Sequence, residues 1–472
     1  MSVNTQLKYG GIEMLKRLTC GLFALLMLVS LLAGCGTNPA KSSSQSNAAT
    51  NANNTSAPDA AGDGGNGANA KPVTLSFLFG DPVMSDWFTE HFPEYISGNN
   101  PDGITVVPEY QQEATKVLQV KAAAGEVPDL ISSGLPQEMM DQGRFLDLSG
   151  EPWWDSLNPA AKDLSTDVKS GKNYFIPMCM GAVGIFYNKD IFTELNLKEA
   201  KTWDELVENL RVIKKQKPDV TPFYICGKEA YTFGHMIDFM VDGVAKQKLG
   251  FAGFEQAASK NDLEALGWNA QSDAIIATYA RDMLQLQSEG LLNENVVTAS
   301  LDNQIEAFVT GKVGMMSQGA WVLSDMQTKA PDFTAIGFAP YPAMLPNSKS
   351  VVGNTLDSYI TISAASANVE AAKKIAEAML QPDAIKSLSE TRGAIPSNPT
   401  VDANWSIIKD EVANVINGDA VGVSFTQNLP GSFNGDERGR LVQELMVGKY
   451  NSPETFAEEY LTYWNEAYAS IN

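Results

Sequence analysis

Two histidines in 472 residues leave little room for imidazole chemistry. Neither His91 nor His235 sits in an H-E-x-x-H pattern or beside a suitable acid, so a histidine zinc site or a Ser-His-Asp triad is poorly supported. Cysteine is almost as scarce, at four, which is too few for a dense disulfide framework. Positive charge is short: 34 Lys and Arg stand against 56 Asp and Glu, an imbalance that repels phosphate backbones and argues against nucleic acid or a polyanion as partner. The Gly-Lys pairs at Lys172, Lys228, Lys312 and Lys449 all lack the Ser or Thr that a P-loop places next. No internal repeat is present, so nothing points to an adhesive or structural array.

The chain opens with a targeting pattern. Lys16 and Arg17 precede an apolar run from Leu22 to Leu32, a charged n-region and an h-region too short for a membrane span. The run ends in Leu32-Ala33-Gly34-Cys35, a lipobox pattern, in which Cys35 is expected to be lipidated and to become the mature N-terminus. Residues ahead of Met14 are either an upstream start or an extended n-region. From Gly36 to Ala70 there is almost no large apolar side chain, so this stretch cannot offset its ordering entropy and reads as a tether. Its Gly62-Asp63-Gly64-Gly65-Asn66-Gly67 fits G-x-G-x-x-G, but no strand precedes it and no helix follows, which removes the dinucleotide reading.

The remaining length is enough for more than one domain with sizeable cores. Val73 to Phe79, Ile104 to Val107 and Asp129 to Ser132 read as strands, with helices between them through Phe88 and Phe92 and from Glu113 to Ala124, stopped by Gly125. That is βαβαβ, hence a largely parallel sheet with ligands expected beyond the strand carboxyl ends, where Asp81 falls. Tyr174 to Phe192 carries no charge before Tyr187 and is interrupted by Gly181 and Gly184, which reads as a buried strand with a flexible middle. Thr202-Trp203-Asp204-Glu205 is a capping box opening a helix to about Lys217. A strand at Pro222 to Cys226, a helix from Ser272 to Gly290, and Ser452-Pro453 starting the last helix make a second α/β unit, and Val369 to Leu380 reads as a further helix.

These segments, in their order, resemble the extracellular solute-binding proteins of the large sugar-binding family that includes maltose-binding protein and serves ABC importers. GKNYFIPM, FYNKDIF and TWDEL resemble that family's first crossing between lobes. Ala307 to Met316 with Gly319-Ala320-Trp321 resembles its helix, Gly-Lys turn, strand and Gly-x-Trp element; Phe333 to Pro342 and Arg392 to Pro396 resemble the second and third crossings. The likeness covers about residues 72 to 470 and implies an α/β, two-lobed periplasmic-binding-protein-like fold of type II, hinge-linked around a ligand cleft. The implied division is 1–34 signal peptide, 35–71 lipidated Cys and tether, 72–183 with 338–393 as one lobe, and 184–337 with 394–472 as the other.

The implied function is capture of a sugar or oligosaccharide by a monomer, lipid-anchored on the outer side of the cell membrane and delivering to an ABC permease. No cofactor, metal or enzyme activity is implied. Candidate ligand residues carried over are Asp81, Gln112 or its neighbour Gln111, Tyr231, Trp321, and, from loop position alone, Asp357 and Asn434. Gln111 and Gln112 stand where family members often have an acid. Trp87, Trp153, Trp154 and Trp268 are further candidates for the cleft wall, with Trp268 better suited to a structural role. The likeness places Cys179 and Cys226 in different lobes, which favours two free buried thiols over a disulfide. The alternative is a glycosidase, which needs only two carboxylates about 5 to 9.5 Å apart.

Overall fold

The computed structural model describes residues 73–92, 95, 100, 102–416, 418–426, 430 and 433–470. The signal pattern, Cys35 and the tether lie outside these residues. Strand β1 (Thr74–Phe79), helix α1 (Pro82–Glu90), strand β2 (Thr105–Tyr110), helix α2 (Ala114–Ala124) and strand β3 (Leu130–Ser132) follow in turn. The three strands pair in parallel in the order β2-β1-β3, as the βαβαβ pattern predicts. Helix α2 stops because Gly125 turns left-handed at φ 79° and the amides of Gly125 and Glu126 close onto Ala122 and Lys121. Leu75, Phe77, Phe79, Trp87 and Phe88 build a first core on one face of this sheet, and Leu78, Leu118 and Ile131 pack on the other. Burying each such side chain contributes about 1.5–3 kcal/mol.

Strand β4 (Ile176–Asn188) is 13 residues long and buried throughout except at Tyr187. It starts among the first core, at Met178 and Cys179, and ends in a second, larger core at Val183 and Ile185. Helix α3 (Trp203–Gln216) opens with the expected capping box at Thr202 and Glu205 and buries Leu206, Leu210 and Ile213 on one stripe. Strand β5 (Thr221–Tyr224), helix α4 (Tyr231–Ile237), helix α5 (Ile275–Ser288), helix α6 (Leu301–Val309) and strand β6 (Val313–Gly319) come next. Strand β6 lies antiparallel to β4 and parallel to β5.

Strand β7 (Ile336–Ala339) pairs with the Ile185–Asn188 end of β4, and its Phe338 packs on Phe186. The run back into the first core is strand β8 (Val351–Ile362), antiparallel to β4 and then to β3. Helix α7 (Val369–Met379), helix α8 (Pro382–Arg392) and the short strand β9 (Ile395–Pro396) on Cys179 and Met180 follow. Strand β10 (Val421–Ser424), parallel to β8, and helices α9 (Gly435–Met446) and α10 (Pro453–Ala469) complete the described fold. Ser452 caps α10 with Pro453 inside its first turn.

The structure departs from the sequence reading at several points. Asp357, expected on a loop, lies with Gly353 to Ser358 inside β8, which pairs with β4 from Val183 to Cys179. Strand β8 thus runs from the second core at Val351 to the first at Ile360 and Ile362. Gly181 and Gly184 stand where neighbouring chains approach β4 closely. A Cβ on Gly181 would overlap the Thr355 hydroxyl, and one on Gly184 would meet the Ala339 carbonyl and the Phe338 ring, so both serve close approach of neighbouring chains. Trp87 and Trp268 are core residues, with Trp87 Nε1 donating to Ser387 Oγ at 3.1 Å. Cys179 and Cys226 are both buried and free.

Candidate ligand-binding site

The carboxyl ends of β1, β2 and β3 open onto a cavity of about 400 Å³ lined by Asp81, Gln112, Thr115, Ser132, Ser133, Asp357 and Tyr359. Gly80 lets α2 come close to the end of β1, since a Cβ there would stand 3.1 Å from that of Ala114. Asp81 and Gln112 both line this cavity just beyond the adjacent ends of β1 and β2, while the Gln111 side chain donates to Glu109 Oε1 at 3.3 Å.

Asp357 reaches this cavity through a fault in the sheet. Between β4 and β8 the register slips twice, around Met178 and again opposite Asp357. Such a bulge re-aims the extra side chain. Its carboxylate accepts from Arg392 Nε at 2.6 Å, and Arg392 Nη1 donates to Asp81 at 3.1 Å. Arg392 closes helix α8, the place where a cation also meets the negative end of the helix. Burial disfavours its charge, but the Asp357 and Asp81 carboxylates outweigh burial and hold the guanidinium above its usual pKa. Burial and the nearby Asp81 charge push the Tyr359 phenol up to about 12, so it stays a neutral hydroxyl.

An aromatic group occupies the other side of β4. Trp321 lies in the turn Ala320–Val322 after β6, and its ring is laid so closely over Gly319 that a Cβ there would overlap the indole. The same indole stands 3.8 Å from where a Cβ on Gly181 would be. His235 meets Trp321 edge-on with centroids 5.7 Å apart, and Tyr231 and Phe425 lie 5.0 and 4.7 Å from His235. Burial pushes the His235 imidazole down to about 4, so at neutral pH it is an uncharged ring. Tyr231 is carried by α4, whose Gly234 is pressed onto the backbone of Gly435 in α9. Trp321 and Tyr231 are half-buried, which fits rings with one face packed and one available.

Asn434 is placed differently from the other candidates. It is the N-cap of α9, with its side-chain oxygen accepting from Glu437 N at 3.1 Å. Trp153 and Trp154 sit on the turn Pro152–Ser156 against the first core. Arg392, Tyr359, His235 and Phe425 were not among the residues selected from the sequence. No group of three or more His, Cys, Asp or Glu able to hold a metal occurs among the described residues.

Residues 81–386 match the family model of the bacterial extracellular solute-binding proteins. The chain belongs to this family. The family is one of binding proteins rather than enzymes, which sets the glycosidase alternative aside. Among curated relatives, the multiple sugar-binding protein of Streptococcus mutans serotype c is 29% identical over 60% of this chain and 65% of its own length. The melibiose/raffinose/stachyose-binding protein of Bacillus subtilis is 25% identical over 49% of this chain and 52% of its own. The matches thus span less than two thirds of these relatives. A Bacillus subtilis binding protein crystallised in an open conformation superimposes with a TM-score of 0.71 at 20% identity, over 86% of this chain and all of that one. The fold is accordingly the two-lobed α/β fold of solute-binding proteins.

Proposed function

We propose that this solute-binding protein captures a sugar or oligosaccharide in the cleft beside β4 and β8 and passes it to an ABC permease. The observation that carries this reading is that half-buried aromatic rings stand beside Gly181 of β4 while hydrogen-bonding carboxylates line the cavity reached by β8, which pairs with β4. Trp321 and Tyr231 offer faces for C–H-rich sugar rings, while Asp81 and Asp357 offer acceptors for hydroxyls and Gln112 a further polar contact. Asn434 serves α9 as its cap and, in this reading, lies at the margin. The names of the two curated relatives support a saccharide over other solutes.

We place the lobes as 72–183 and 184–337 with the third change near 393–394, and we move the second change from 337–338 into β8, because β7 pairs only with the second-core end of β4. Closure of the lobes then brings Asp81 and Trp321 onto one ligand, and a ligand touching both lobes favours the closed state by differential affinity. Cys35 supplies the lipid anchor, the segment after it the tether, and the protein works as a monomer facing outward.

Calorimetry with melibiose, raffinose and stachyose tests the reading. Saturable binding that weakens in both Trp321→Ala and Asp81→Ala is the expected result. Binding of a non-saccharide solute with no response to saccharides would refute it.

A further inference from the structure

The charges around the polar cavity are unevenly matched. Asp81, Asp357 and Glu113 contribute three carboxylates, and the two cations beside them are already engaged. Lys116 lies 2.7 Å from Glu113, and Arg392 holds Asp357 at 2.6 Å and Asp81 at 3.1 Å. The Asp357 side chain is 5% exposed and that of Arg392 19%, so this pair is little screened by water. One negative charge is left in excess, in a protein whose net charge is −22.

We infer that Asp81, Asp357 and Arg392 form a charge filter that admits uncharged sugars and rejects acidic ones. The inference rests on the saccharide reading of the same site and narrows it to a ligand class. A hydroxyl donates to a carboxylate oxygen, and each ionised carboxylate has about four lone-pair positions, so a neutral sugar can add its hydrogen bonds to carboxylates already held by Arg392 and, at Asp81, by a further partner. A uronate brings a second acceptor-only group to the same place. It can take no proton from Asp81 or Asp357, and it finds Arg392 neutralised by both. Releasing the guanidinium to greet it would strand a carboxylate that is almost fully buried, which is the costly way to break such a pair. The excess acidity of the whole molecule acts in the same direction at longer range and at low salt.

The probes are raffinose and stachyose, each compared with its counterpart oxidised at the galactose C6 to the uronate, measured by calorimetry on the full folded chain. The uronates are expected to bind at least about tenfold more weakly, with the gap shrinking as salt rises. Asp357→Asn keeps the side-chain shape and removes one charge, and it should close most of that gap. Asp81→Asn, at a more exposed carboxylate, provides the same measurement if Asp357→Asn melts early. Trp321→Ala should weaken neutral and acidic forms equally and leave their ratio unchanged. Equal affinities in the wild type, or a ratio unmoved in both Asn variants, overturns the filter while the saccharide site stands. Binding of neither neutral nor acidic sugars overturns the saccharide reading, and the filter with it.

Discussion

Adding one methyl group at Gly319 should disable Trp321 without touching it chemically. The Trp321 ring overlies Gly319, and a Cβ there would overlap three of its carbons. The contact is with a rigid indole rather than the tip of a flexible chain, so Gly319→Ala must lift or rotate the ring. Overpacking of this kind costs about 1–3 kcal/mol of stability. The effect on binding is bounded by the loss of the ring itself. Trp321→Ala removes an aromatic stacking face and its buried area, worth about 1–3 kcal/mol, or roughly a 5- to 150-fold weaker Kd. Gly319→Ala should fall within that bound. The decisive measurement is the double-mutant cycle, read by calorimetry with whichever of raffinose or stachyose binds. In the Trp321→Ala background there is no ring to displace, so Gly319→Ala should then change affinity by less than about 0.5 kcal/mol. A methyl group that costs as much affinity without the tryptophan as with it would show that Gly319 shapes the site by another route. An unchanged Kd in Gly319→Ala alone would mean that the indole is not part of the ligand surface.

Cys35→Ala should release the protein from the membrane fraction or retain the uncleaved leader; lipid-labelled mature protein from this variant would refute the lipobox reading. Saturating saccharide should lower the radius of gyration in solution scattering as the lobes close, and an unchanged profile would count against closure. His235 is held down to about 4, so below about pH 6.5 the unfolded chain binds a proton that the folded one resists, and stability falls as pH drops from about 6.5 to 4. His235→Gln should lose about 2 kcal/mol less than the wild type between pH 7 and pH 4.5 in urea melts, and equal losses would refute burial as the cause.

Local signals in the chain carried much of the architecture. The βαβαβ start is visible because each element has its own apolar period and its own stop, Gly125 being one of them. Thr202 and Glu205 announce α3 within four residues. The first half of β8 was hidden because it carries Gly353 and Thr355, small or polar residues that lie against Phe239 and against β4 at Gly181. An apolar alternation cannot form there. Asp81 was legible from its place after a strand, but its partner Arg392 lies 311 residues away, and no local pattern links the two. Arg392 was noticed only as part of a crossing segment. His235 was weighed for acid–base chemistry and set aside, which is sound for a catalyst and silent about an uncharged ring in an aromatic group. Asn434 carried a readable signal in Asn434 and Glu437, the spacing of a helix cap, and that role is the one it fills.

Phe425 had no signal in the sequence, and its position depends on buried charges far from it along the chain. Lys246 is buried with its ammonium 2.7 Å from Asp238 and 2.6 Å from the Ser424 carbonyl. Asp238 accepts from the Thr426 amide at 3.2 Å and from its hydroxyl at 2.8 Å, and that hydroxyl also reaches Asp242 at 2.9 Å. Arg438 donates to Asp242 at 2.7 Å and to Tyr460 at 2.8 Å. The backbone is thus gripped on both sides of Phe425, whose ring is held 4.7 Å from both His235 and Phe239. Replacing such a group of charges by well-packed apolar residues is often neutral or stabilising, so net stability is a weak reason for its presence. Hydrogen bonds do something that apolar packing does not, because they fix direction as well as proximity. A chain segment held at Ser424 and at Thr426 has lost its conformational freedom before any ligand arrives. In the proposed site, the entropy of ordering the aromatic group is therefore met in folding, and binding retains what would otherwise be spent on immobilising that surface.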